Sequence, residues 1–255
     1  MKKRVDVLLV ERGLAESRAQ AQALVLAGRV KGHTKAGEQI DESRELELLA
    51  GPRFVSRGGE KLAHALATFA IEVKGGDCLD VGASTGGFTD CLLQAGAARV
   101  CALDVGYGQL HPRLRDDPRV TVIERKNVRD LSCEELPFAP NFIVCDVSFI
   151  GLAKALPPAL ACAESRWRAL VLVKPQFEAG RPLVGRGGVV RDPEVHRRVL
   201  SDVVAALGDL EANVYGVSDS GLRGPKGNRE FFVYFGAEPA GSQPTSDAWI
   251  EAALG

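Results

Sequence analysis

From residue 60 onward, short apolar runs alternate with helical patterns, and this alternation constrains the fold more than any other feature. The runs are CLDVG (78–82), VCALDV (100–105), VTVIE (120–124), FIVCDV (142–147), LVLVK (170–174), NVYGVS (213–218) and EFFVYF (230–235). Segments such as GFTDCLLQAG and IGLAKALPPALACA separate the early ones. Near-continuous apolar strands divided by helices predict a parallel sheet covered on both faces. The last two runs leave little room for a helix between them, which predicts a closing antiparallel hairpin. A seven-stranded α/β fold is expected.

The first run opens into LDVGASTGGFTD (79–90), a glycine-rich loop between a strand and a helix. The dinucleotide fingerprint G-x-G-x-x-G is not met, because its second glycine is replaced by Ser84. No Lys-Ser/Thr pair follows Gly87, so the loop is not a Walker A loop. Asp104, at the end of the second run, is nevertheless placed to accept both hydroxyls of a ribose. A ribose-bearing ligand without a pyrophosphate needs that acid but not the phosphate-cradling glycines, and S-adenosylmethionine fits this description. The expected contact residues are Gly82, Ala83, Ser84, Thr85, Gly86, Gly87 and Phe88 of the loop, with Asp104. Asn127, after the third run, is expected at the adenine edge. Asp80 either orients the loop or holds the methionine ammonium through water.

Three charged residues stand where buried strands end. Asp146 closes FIVCD, Lys174 closes LVLVK and Glu230 opens EFFVYF. Such charges are costly unless paired. In an open parallel sheet, ligands bind beyond the carboxyl ends of the strands. If the last strand is antiparallel, its start lies at that same edge, so Asp146, Lys174 and Glu230 gather there. Lys61 is placed in the first turn of a helix beginning near Gly59, packed nearby. The following segment, PQFEAGRPLVGRGGVVRDP (175–193), is read as a long loop without regular structure. Its Arg181, Arg186 and Arg191 are suited to gripping phosphates.

Residues 1–50 differ in character. Eight basic side chains stand against three acidic ones over residues 1–36, within a chain of net charge −1. VDVLLVERG suggests a short helix stopped by Gly13. Ser17 opens a second helix with Gln20 as capping partner, and Gly28 ends it. A basic two-helix unit with a basic turn suits a phosphate-bearing partner. GPRFVSRGG then reads as a linker. The resulting division is 1–50, a linker at 51–58, a large domain at 59–237 and a tail at 238–255 of linker composition.

The six cysteines contain no C-x-x-C pair and sit mostly in apolar runs, so they are read as free thiols with no metal site. The opening MKKRVDVLLVERG lacks the features of a signal peptide, and no run is long enough to span a bilayer. A cytoplasmic protein without membrane association is expected.

The N-terminal stretch from Arg4 through GRVKGHTKAG resembles the S-four-type RNA-binding domain, with Arg18, Arg29 and Lys31 at its usual basic positions. The strand pattern with its final hairpin resembles the Rossmann-like methyltransferase sheet. Lys61 in GGEKL, Asp146 in CDVSFI, Lys174 in VKPQFE and Glu230 in GNREF resemble the Lys–Asp–Lys–Glu tetrad of FtsJ-like ribose 2′-O-methyltransferases. Together with DVGASTGGFTD, these segments resemble the TlyA family over residues 3–236. That resemblance implies S-adenosylmethionine-dependent methylation of cytidine 2′-hydroxyls in ribosomal RNA; Arg181 and Arg186, read from the composition of their loop, join Arg18, Arg29 and Lys31 as expected RNA contacts. It implies nothing about oligomeric state. An RNA-binding assembly protein with an inactive methyltransferase fold is the main alternative. A membrane-active haemolysin, the label many relatives carry, is the weakest.

Overall fold

The computed structural model describes residues 1–148, 151–239 and 245–255. Phe149 and Ile150 of the CDVSFI segment, and residues 240–244 of the expected tail, lie outside the described residues. The chain forms two compact units, Met1–Arg53 and Phe54–Gly255.

The first unit pairs strand β1 (Lys2–Arg4) antiparallel with β2 (Gln39–Asp41) and packs helices α1 (Val5–Glu11) and α2 (Arg18–Leu26) over a small core. Ser17 caps α2 by accepting from the Gln20 amide, and Gln20 Oε1 returns a bond to the Glu16 amide. The buried Asp6 carboxylate accepts from Arg4, Arg18 and Gln22, tying β1, α1 and α2 together. Hydrogen bonds from Arg4, ahead of the opposing effect of burial, hold the Asp6 carboxyl well below the usual carboxylate range. A depressed folded-state value stabilises above the unfolded value of about 3.9 and loses its effect as pH falls through the folded one. Hydrogen exchange of the full chain should therefore show α1 and α2 losing protection in acid. Asp6→Asn should lose it already at neutral pH.

The second unit holds a seven-stranded sheet of order β5-β4-β3-β6-β7-β9-β8. After helix α3 (Arg57–Thr68) come β3 (Asp77–Val81), α4 (Gly87–Gln94), β4 (Arg99–Leu103), α5 (Pro112–Arg115), β5 (Val120–Ile123) and β6 (Phe142–Cys145). Then follow α6 (Leu152–Ala161), β7 (Arg168–Val173), α7 (Pro175–Glu178), α8 (Pro193–Gly208), β8 (Asn213–Asp219), β9 (Phe231–Gly236) and α9 (Ser246–Leu254). β3 to β7 run parallel, and β9 inserts antiparallel between β7 and β8. Side chains alternate between the faces with the period of two that a strand imposes. Ile143 and Cys145, Val171 and Val173, and Phe231 and Val233 enter the core that includes α6, α8 and α9. Phe142 and Val144, Leu170 and Leu172, and Phe232 enter the core that includes α3 and α4.

Four expectations change. Residues 54–58 are packed structure, not linker: Phe54 is buried, the Val55 amide donates to Asp90, and Ser56 is the N-cap residue of α3. Because α3 begins at Arg57, Lys61 lies in its second turn, not its first. Part of the expected tail is helix α9, whose Ile250 and Ala253 are buried and whose last carbonyls accept from Arg229. Thr245 caps that helix; linker composition masked the pattern just beyond it. Cys133 and Cys162 form a disulfide between a 3₁₀ turn and the end of α6, across a sequence separation of 29, which spacing alone could not reveal. Cys78, Cys91, Cys101 and Cys145 are free and buried.

Candidate active site

Register brings the site together. Val81 pairs with both Leu103 and Cys145, so β3, β4 and β6 end level and release Gly82, Asp104 and Asp146 side by side. Val173 pairs with Phe231, which places Lys174 beside Glu230. The antiparallel β9 is thus the reason a residue so distant in sequence reaches this edge.

The loop after β3 is bent tightly over its neighbours. Gly82 has φ +85, and a Cβ there would stand 2.5 Å from the Asp146 carbonyl oxygen. Ser84 also adopts a left-handed conformation, φ +49, although it carries a side chain. Its amide donates to Asp104 Oδ2 at 2.7 Å, and Asp104 Oδ1 accepts from the Gly106 amide at 2.6 Å. Asp104 thus holds Ser84 in a conformation that a glycine would adopt more easily. Gly86 packs on Leu110 and Leu114 and lines neither of the two clefts at this loop.

Two clefts meet over this loop. One, of about 690 Å³, is lined by Gly82, Ser84, Asp104, Asn127, Asp146 and Lys154, among others. The other, of about 400 Å³, is lined by Ala83, Thr85, Gly87 and Phe88 together with Lys61, Lys174 and Glu230. Gly82, Ser84 and Asp146 face both. Asn127 lines the first cleft, but its side-chain oxygen caps a 3₁₀ turn by accepting from the Arg129 amide at 3.1 Å. Its amide nitrogen is the group left to face a ligand.

All four tetrad residues line the second cleft. Lys174 pairs with Asp146 and donates to Ser148 Oγ at 3.1 Å. Lys61 pairs with Glu230, which also accepts from Gln176 Nε2 at 3.3 Å. Lys61 and Glu230 are buried, at 7% and 2% exposure. Burial raises the Asp146 carboxyl, opposed by Lys174. Ser148 and Gln176 carried no role in the sequence reading. Both fall inside its motif segments, but only the fold shows that they touch Lys174 and Glu230.

Asp80 lies beneath the loop and lines neither cleft. Its Oδ2 accepts from the Thr89 amide and hydroxyl at 2.9 and 2.6 Å, fixing the start of α4, while Oδ1 is buried with no hydrogen-bond partner among the described residues. Of the two roles expected for it, orienting the loop is the one this geometry supports. Burial, ahead of the opposing Thr89 hydrogen bond, pushes its carboxyl up to about 7. A raised folded-state value stabilises below the unfolded value of about 3.9 and is lost as pH rises through the folded one. Denaturant midpoints should therefore fall between about pH 4 and 7, and Asp80→Asn should remove that component of the slope.

The expected RNA contacts are distributed differently. Arg18 pairs with Asp6, Lys31 with Glu47, and Arg29 donates to the Leu49 carbonyl, so all three brace their own unit. Arg181 and Arg186 are exposed. The segment around them is more ordered than expected. It contains α7, a 3₁₀ turn at Arg181–Leu183 and a Gly185–Val189 bridge. Asn228 clasps it by accepting from the Val190 amide and donating to the Gly188 carbonyl, both at 2.9 Å.

Comparison with known proteins agrees with this arrangement. Residues 54–237 match the FtsJ-like methyltransferase family and residues 3–31 the S4 domain. A Mycobacterium tuberculosis protein named 16S/23S rRNA (cytidine-2′-O)-methyltransferase TlyA is 46% identical over 237 residues, covering 91% of this chain and 88% of its own. A Brachyspira hyodysenteriae protein named Hemolysin A is 39% identical over 237 residues, covering 91% and 99%. A solved Streptococcus thermophilus structure, named as a hemolysin, has TM-score 0.75 and 41% identity, covering 99% of this chain and 95% of that one. The chain belongs to the TlyA family of FtsJ-like methyltransferases that carry an N-terminal S4 domain.

Proposed function

We propose that this protein transfers a methyl group from S-adenosylmethionine to a cytidine 2′-hydroxyl of ribosomal RNA. The observation that carries the reading is the meeting of two clefts at Asp146, one fitted to the donor and one holding the Lys–Asp–Lys–Glu set. The first cleft has the size of a small-molecule site. Asp104 offers a carboxylate for the ribose hydroxyls and Asn127 an amide for the base, while Gly82 lets the loop lie against the Asp146 carbonyl. When bound, S-adenosylmethionine supplies an electrophilic methyl on a sulfonium.

The chain's own residues prepare the nucleophile. A ribose hydroxyl attacks poorly unless its proton is removed or the growing negative charge is stabilised. Lys174 Nζ, fixed by Asp146 and Ser148, is held where it can orient the 2′-oxygen and stabilise that charge. Glu230, fixed by Lys61 and Gln176, keeps the neighbouring part of the cleft rigid and polar. Such orientation shortens the search for an in-line approach to the methyl group.

The N-terminal unit supplies affinity for folded RNA. No helix among the described residues is long and apolar enough to cross a membrane, and none of them forms a group able to hold a metal ion. Calorimetry with S-adenosylmethionine, followed by transfer of labelled methyl to ribosomal RNA, tests the proposal. Binding with transfer is expected. Absence of cofactor binding would instead favour an assembly protein with an inactive fold.

A further inference from the structure

Many charged side chains on the catalytic unit pair with one another, as Arg99 with Asp77, Arg113 with Asp90, Arg115 with Glu124, Arg119 with Asp117 and Arg197 with Glu251. Other cations carry no such pair, and three of them form a strip beside the tetrad cleft. Arg57, Arg223 and Lys226 are exposed and have no ion-pair partner among the described residues. They come from two elements far apart in sequence, the start of α3 and the β8–β9 connection, yet the fold joins them. Arg57 Nη2 donates to the Arg223 carbonyl. Arg57 and Pro225 line the same cleft as Lys61, Lys174 and Glu230.

The strip is built rigidly against the reactive groups. A Cβ at Gly224 would overlap the Glu230 carboxylate, so the connection lies directly on it. A Cβ at Gly221 would meet the His64 ring of α3 at 2.8 Å. Gly224 and Asn228 close the turn through a backbone bond at 2.9 Å. On its other side, Lys226 Nζ stands 3.7 Å from the Cβ position of Gly188, at the edge of the segment that carries Arg186 and Arg191.

Exposed cations without ion-pair partners, carried on a backbone packed against a polar cleft, fit a polyanion whose backbone must pass the reactive groups. We propose that Arg57, Arg223 and Lys226 form a phosphate-binding rim that grips the RNA backbone beside the target nucleotide. This rests on the RNA-directed reading above and extends it to residues of the β8–β9 connection. A solvated basic loop would not need its backbone pressed onto Glu230, nor a guanidinium holding its carbonyl. Phosphate contacts of this kind contribute affinity without base preference and weaken with salt.

The test uses the full chain with single and double substitutions Arg223→Ala and Lys226→Ala. Affinity for a ribosomal RNA fragment is measured across a salt series, beside S-adenosylmethionine affinity and methyl transfer. The proposal expects the slope of log affinity against log salt to flatten by about one for each phosphate contact removed. The KM for RNA should rise while cofactor affinity and the unfolding midpoint stay as in the unsubstituted protein. Unchanged RNA affinity and salt slope in the double variant would overturn the rim while leaving the methyltransferase reading intact. Rim-dependent RNA binding without any methyl transfer by the unsubstituted protein would do the reverse. A pull-down of acidic lipid vesicles that depends on the same residues, with RNA binding unaffected, would replace the RNA partner and also overturn the proposal.

Discussion

Lys174→Ala should lower methyl transfer by at least about 100-fold while leaving S-adenosylmethionine affinity within a few-fold of the unsubstituted protein. The separation follows from position. Lys174 lines the cleft of the tetrad and not the cleft that contains Asp104 and Asn127. Its removal takes away the group that donates to Ser148 and pairs with Asp146. It also leaves the Asp146 carboxyl without the main influence opposing its upward shift. Single-turnover rates with calorimetric affinities, measured on the same preparation, distinguish this from misfolding. Near-normal turnover would remove Lys174 from the chemistry.

Lys61→Met should act on stability as well as activity. Glu230 is 2% exposed, and its ion pair with Lys61 is buried on both sides. Removing one partner leaves an uncompensated buried charge, at a cost of about 3–5 kcal/mol. Gln176 still donates to Glu230, so the loss should fall toward the lower end of that range. A double substitution, Lys61→Met with Glu230→Leu, should recover much of the unfolding free energy, because two apolar groups of similar volume replace a desolvated pair. It should not recover methylation. Recovery of both would mean that the pair serves the fold alone.

The seven strands, their mostly parallel sheet and the closing antiparallel hairpin were legible in the sequence. Near-continuous apolar runs survive in sequence where strands are buried on both faces, as in β3, β6 and β7, and all seven runs became strands. The location of Asp146, Lys174 and Glu230 was legible for the same reason. Once β9 is antiparallel, topology alone carries Glu230 to the edge where β6 and β7 end. Other features depend on partners that no local pattern encodes. The left-handed Ser84 is tolerated because Asp104, twenty positions away, receives its amide. Arg18 and Lys31 looked available for RNA, but tertiary contacts commit them to Asp6 and Glu47. The segment after Lys174 looked structureless because the side chain that organises it, Asn228, arrives some forty residues later. Local composition cannot report a contact made across the fold.

The central claim is the atom that receives the methyl group. Ribosomal RNA from cells with and without the protein, and RNA treated with the purified protein and S-adenosylmethionine, should be mapped for 2′-O-methyl positions by resistance to alkaline cleavage. A protein-dependent 2′-O-methylated cytidine is expected, absent when Lys174→Ala replaces the native chain. Methylation of a base atom, or no change at any ribose, would contradict it.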